Sequence, residues 1–195
     1  SYYIYSLVCF LLPGTVWLIW NKGMIADKAY KVRHIIWIYI YLFYGYLAVQ
    51  EAAGIGTIWD LIAYGKLDNS INLIPISSEG AMTYILNIIM FMPLGFLLPL
   101  IWKNFRNAKK VVLMGFLMSL AIEICQLFNI RTTDIDDLMM NTLGTLVGYC
   151  CWKVFSLIFR NAGTKCVEMK KSEPVIYMFG GILGLFLLYN WRVFN

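Results

Sequence analysis

The sequence predicts an all-α integral membrane protein, a bundle of about six transmembrane helices, and three observations carry that expectation. Of its 195 residues 61% are hydrophobic and only 14% charged, too little charge to cover a soluble domain of this length. Mean hydropathy is +0.69, and the apolar residues fall into blocks close to the roughly 20 helical residues that cross a hydrocarbon core of about 30 Å. The basic residues gather in alternate connections between those blocks. One transmembrane domain over residues 1–195 follows.

Taken in order, the blocks are residues 2–20, 35–55, 81–102, 111–128, 135–159 and 175–191, each bounded by charged or turn-forming residues. The first lacks a basic n-region and an A-x-A pattern, so it reads as a retained helix and not a signal peptide. In the third, Pro93, Gly95 and Pro99 predict a bend. In the last, Gly180 and Gly184 have small-xxx-small spacing and predict a packing face. Trp17, Trp20, Trp37, Trp102, Trp152 and Trp191 lie towards block ends, where indole rings prefer the headgroup region. The longest connection, residues 56–80, carries Asp60, Asp68 and Glu79 against Lys66. Its apolar Ile58, Trp59, Leu61, Ile62 and Tyr64 fit either a short outward-facing helix, lying in the interface or folding back onto the bundle, or a surface loop.

Thirteen of the sixteen Lys and Arg residues fall in the first, third and fifth connections and the helix end before the fifth; only Lys66, Arg131 and Arg192 lie elsewhere. The positive-inside bias therefore puts the odd connections in the cytoplasm and the loops at about 56–80 and 129–134 outside, in a multi-pass protein of the plasma membrane. The basic runs are topology determinants first, and the partner they imply is the lipid bilayer, not nucleic acid. The five cysteines form no CxxC pair, and four lie in apolar blocks. His34, the only histidine, sits beside Arg33 in a basic segment, which argues against histidine-based catalysis or metal binding.

Polar residues inside the fourth and fifth blocks are the candidates for function. Glu123 lies in the fourth, and an acidic group at mid-helix costs about 2.5–3.5 kcal/mol, so it needs a partner or a task. Ser119, Glu123 and Gln126 share its face of the helix at i, i+4, i+7. In the fifth block Asp134, Asp137, Asn141, Gly144 and Gly148 form a stripe, acidic at its outer end and small further in, where a neighbouring helix can approach closely. At about 1.5 Å per residue, Asn87, Glu123 and Asn141 fall roughly 8–9 Å below the outer boundary, with Arg131, Asp134 and Asp137 just above. Together they would line one cavity open to the outer leaflet. The bland reading makes Asp134 an N-cap, and Asn87 and Gln126 interhelical hydrogen-bonding groups.

In order along the chain, Asn72-Leu-Ile-Pro75, Asn87-Ile-Ile-Met-Phe91-Met-Pro93-Leu-Gly95, Glu123-Ile-Cys-Gln126 and the stretch from Arg131-Thr-Thr-Asp134-Ile-Asp136-Asp137 to Asn141-Thr-Leu-Gly144 resemble the VanZ-like membrane proteins. The resemblance covers about residues 71–149; the helices at about 2–20, 35–55 and 175–191 are additions to that core. It implies association with resistance to teicoplanin and related lipid-bearing glycopeptide antibiotics in Gram-positive bacteria, and it supplies no mechanism.

Three readings follow. In an enzyme acting on a lipid-linked or envelope molecule, Glu123 would be general acid or base, and Asp134, Asp137 and Glu123 would offer oxygen ligands to a divalent cation. Arg131 would meet a phosphate or carboxylate, and Asn87, Gln126, Asn141 and Ser119 would contact the substrate. In a non-catalytic protein, the same residues would bind a lipid or an acyl-bearing antibiotic. A transporter is the third reading, weakened because no repeat pair is visible. Oligomeric state is not legible.

Overall fold

The computed structural model describes residues 2–21, 23, 28–65, 71–72, 74–75, 80–129, 133–159 and 170–194. Apart from one two-residue strand pairing, the described chain is helical: α1 Tyr2–Asn21, α2 Lys28–Tyr46, α3 Ile58–Tyr64, α4 Ala81–Ile101, α5 Ala108–Gln126, α6 Ile135–Ile158 and α7 Glu173–Leu188. A π-helical turn, Leu47–Ala53, prolongs α2, and short 3-10 turns follow α4 and α7.

Three segments are long and apolar enough to cross a membrane, namely Tyr2–Asn21, Tyr30–Ala63 and Ala81–Ile101. The remaining helices are less apolar or shorter for visible reasons. α5 carries Lys109, Lys110 and Glu123, α6 carries Asp136, Asp137 and Asn141, and α7 has 16 residues. The all-helical architecture stands on these elements. α4 runs unbroken through Pro93 and Pro99.

Packing is set by small residues. α4 makes its most extensive contact with α6, because a Cβ at Gly95 would land on the Thr145 carbonyl, one at Gly144 on the Ile88 carbonyl, and one at Gly148 on the Met92 carbonyl. Two backbones touch along this seam, which no larger residue permits. α1 packs on α7 in the same way, with Gly184 against the Cys9 carbonyl and Gly181 against the Phe10 ring. Gly180 meets only Pro13, at ordinary van der Waals distance, so the seam in α7 is Gly181 and Gly184 and not the Gly180 and Gly184 pair that the spacing suggests.

The segment after α2 forms a helix, not a plain loop. Thr57 and Asp60 make a capping box at the start of α3, with Asp60 Oδ2 accepting from the Thr57 N–H at 2.6 Å and hydroxyl at 2.8 Å. α3 ends at Gly65, whose φ of 68° favours glycine. It folds back onto the end of α7: the Trp59 indole donates to the Leu187 carbonyl at 3.1 Å, and the Trp191 indole donates to Asp60 at 2.8 Å.

Two strands, β1 Ile71–Asn72 and β2 Thr133–Asp134, pair in parallel, with Asn72 opposite Asp134. This ties the second connection to the fourth directly above the start of α6.

Trp102 is not a headgroup anchor. It is 1% exposed, and its indole donates to Glu173 at 3.1 Å. Trp152 is likewise buried, whereas Trp20 is exposed as the sequence suggests.

Candidate functional site

The π-helical extension of α2, the start of α4, the end of α5 and the start of α6 meet at one end of the bundle and enclose a cavity of about 510 Å³. Ala53, Leu86, Met90 and Ile122 contribute its apolar wall; Asn87, Glu123, Gln126, Asp137 and Asn141 contribute the polar one. The spacing of Glu123 and Gln126 turns both side chains of α5 inward, and both are buried.

Glu123 faces the start of α6, and its Oε2 accepts from the backbone N–H of Asp134 at 3.2 Å. Asp134 is the N-cap of α6: its Oδ1 accepts from the Asp136 N–H at 2.9 Å, the capping role anticipated for it. Its other oxygen accepts from the Asn72 side-chain amide at 3.0 Å, across the strand pairing. Asp134 therefore does two jobs, closing a helix end and holding an overlying loop. Asp137 accepts from the Asn87 side-chain amide, which links α6 to α4. Deeper in, the Asn141 amide donates to the Ser119 hydroxyl at 2.9 Å. The Gln126 amide donates to the Ala53 carbonyl at 3.0 Å, pinning the end of α5 to the extension of α2.

The structure thus gathers Asn87, Glu123, Gln126, Asp137 and Asn141 around one cavity, with Ser119 behind Asn141 and Asp134 above Glu123. Arg131 lies outside the described residues. The three acidic residues considered for a cation do not converge as one ligand set: among the described residues no three His, Cys, Asp or Glu side chains come together in that way. The Asp134 carboxylate is turned to Asn72 and Asp136, and Asp137 to Asn87.

Sequence reasoning passed over three participants. Asp136 is fully buried and accepts from the Tyr84 hydroxyl at 2.8 Å, although it lies off the Asp134, Asp137, Asn141 stripe. Tyr84 gave no signal, because a tyrosine near a block end reads as an interfacial ring. Asn72 stood in a quoted motif, and its partner was the missing information. A second polar group lies at the opposite end of the bundle, where buried Glu173 at the start of α7 accepts from His34 at 2.8 Å, Trp102 at 3.1 Å and Tyr177 at 3.2 Å. It joins α2, α4 and α7 and lies far from the cavity.

A family model described as VanZ/LLP1 matches residues 3–156. The chain belongs to the VanZ/LLP1 family. The VanZ/LLP1 match runs from α1 through nearly all of α6, so it includes every cavity residue named here and reaches well beyond the motif stretch at 71–149. The protein VanZ of Enterococcus faecium is 34% identical over 134 residues, which is 68% of this chain and 77% of that protein. No solved structure matches the chain. Apolar helices of spanning length and VanZ/LLP1 membership together make this a membrane protein.

Proposed function

We propose that this chain is a multi-pass plasma-membrane protein of the cell envelope associated with teicoplanin resistance, acting on a lipid-linked or envelope molecule at the outer leaflet through the acidic cavity at Glu123. Family membership and the VanZ relative support the association. The observation that carries the site is that Glu123, Asp137, Gln126, Asn141 and Asn87, all polar residues within apolar helices, line one cavity. Polar groups at such depth are expensive and mark sites of action.

The bundle has six spans in this reading. α5 and α6, with 19 and 24 residues, reach about 28 Å and 36 Å, enough to cross beside α1, α2 and α4, with α7 and its 3-10 extension as the sixth. The distribution of basic residues turns the cavity end outward.

Capture of the target is favoured over bond breaking. Among the described residues Ser119, the hydroxyl closest to Glu123 by helical spacing, bonds the Asn141 amide and no base, so it is a packing and positioning group. Catalysis by Glu123 as general acid or base is the second reading, supported by its burial beside the cavity.

The test is teicoplanin susceptibility in a Gram-positive host expressing the native chain or Glu123→Gln. The amide keeps the shape and an oxygen that can accept from Asp134, and removes the charge. The native chain should lower susceptibility and the variant, at equal membrane abundance, should not. A fully protective Glu123→Gln variant would defeat the role assigned to the carboxylate.

A further inference from the structure

The polar wall of the cavity presents a buried acceptor that, among the described residues, has no donor. Gln126 is 5% exposed and Asn141 3%, and both line the cavity. Among the described residues neither Gln126 Oε1 nor Asn141 Oδ1 has a hydrogen-bond partner. The orientation of Gln126 is fixed, because its Nε2 meets the Ala53 carbonyl, a group that can only accept, whereas Asn141 faces the Ser119 hydroxyl, which can donate or accept; Gln126 Oε1 is therefore the acceptor left open. A buried amide oxygen without a donor has lost its water and gained nothing, a deficit that a ligand N–H would remove. The carboxylates of Glu123 and Asp137 stand on the same wall and add oxygen acceptors to it. An anionic head brings no proton for the Gln126 oxygen, whereas an ammonium carries three donors and no acceptor.

The apolar wall says how such a head arrives. Leu86 and Ile89 of α4 line the cavity and are also among the exposed large hydrophobic residues, so the cavity opens sideways onto the surface that meets acyl chains. A water-soluble cation would have no use for that opening.

Resting on the reading of this cavity as the site of action, we propose that it takes the protonated amine head of an acyl-bearing amphiphile, the ammonium on Gln126 Oε1 beside the Asn141 amide, and the chain leaving along Leu86 and Ile89. Selectivity is for the head, and the chain supplies access from the bilayer.

The experiment uses the full chain in phosphatidylcholine nanodiscs and three photoreactive probes sharing one sixteen-carbon chain with a mid-chain diazirine: a primary amine, an alcohol and a carboxylic acid. After irradiation, labelled peptides are mapped by mass spectrometry. The amine should label α4 around Leu86 and Ile89 saturably, at a concentration about tenfold below that required by the alcohol and lower still relative to the acid, as expected for at least one donor–acceptor pair. Gln126→Leu should weaken amine labelling by about tenfold. Leu86→Trp, which fills the opening and touches no polar group, should abolish it. Equal labelling by the three heads, or normal amine labelling in Gln126→Leu, would overturn the proposal; if Gln126→Leu does not fold, the comparison of heads on the native chain and Leu86→Trp decide. Susceptibility separates this proposal from the functional reading it rests on. Selective amine labelling by a native chain that gives no protection against teicoplanin sustains the amine site and removes the functional reading; no selectivity together with a charge-dependent phenotype does the opposite.

Discussion

At the scale of single residues, Asp134 is the position where a cap and a loop anchor coincide, and the coincidence changes what a conservative substitution does. Asparagine caps a helix as well as aspartate does, so capping alone predicts a neutral Asp134→Asn. Here both carboxylate oxygens accept, one from the Asp136 N–H and one from the Asn72 amide. An asparagine has one oxygen and would point its NH₂ at one of those donors. Asp134→Asn should therefore cost about 1–2 kcal/mol, read as a fall in thermal unfolding temperature in detergent. An Asn72→Ala background should remove most of that loss, since the donor that clashes is gone. A neutral Asp134→Asn would show that the bond to Asn72 contributes nothing. Glu123, Gln126, Asp137 and Asn141 were legible in the sequence because they interrupt apolar blocks in two pairs, each at helical spacing within its own helix. Asp136, Tyr84 and Glu173 were not, since their meaning lies in partners 52 and 139 positions away, Tyr84 for Asp136 and His34 for Glu173. Periodicity reports which face a residue occupies, and it is silent about which distant face lies opposite.

Among elements, the seam between α4 and α6 and that between α1 and α7 both depend on the absence of a side chain. A methyl group at Gly95, Gly144 or Gly148 has a backbone carbonyl in its place, and carbonyls cannot swing aside as a flexible side chain can. Gly148→Ala should destabilise the bundle by about 3 kcal/mol, the upper end of the overpacking range. Gly180→Ala meets only Pro13 at 3.4 Å and should be neutral, or stabilising by up to about 1 kcal/mol through helix propensity. Thermal unfolding of both variants in one detergent checks the contrast, and equal behaviour would mean that the seam yields. Small residues at regular spacing announced a packing face in α6 and α7, but the choice between Gly180 and Gly181 follows from the rotation of α7 against α1. That rotation is a property of the pair and not of either sequence. α3 was half visible: its apolar residues suited a helix or a loop, and the Thr57 and Asp60 capping box, with the Trp191 indole on Asp60, accounts for the outcome.

For the whole molecule, the helix directions put the cavity, the strand pairing and α3 at one end and the Glu173 cluster at the other. The basic residues cluster at the Glu173 end, the basis on which the cavity end is proposed to face outward. In a cysteine-free background, Ile74→Cys at an exposed position near the cavity end should react with an impermeant thiol reagent on intact cells. Lys109→Cys, exposed at the start of α5, should react only after the membrane is opened. The reverse pattern would invert the protein and place the cavity in the inner leaflet.

The closest helix pair in the fold is also one that the chain cannot form at once. Between Gly95 and Gly148 the ribosome must add roughly 50 residues, about 3–10 s of synthesis at 5–20 residues per second. During that time α5 is made while the glycine face of α4 awaits its mate. Folding is therefore not a helix-by-helix accretion, since the central seam closes only when α6 has been made. A chain stalled or truncated within that interval displays an unmated small-residue face and an Asn87 that lacks its Asp137 partner.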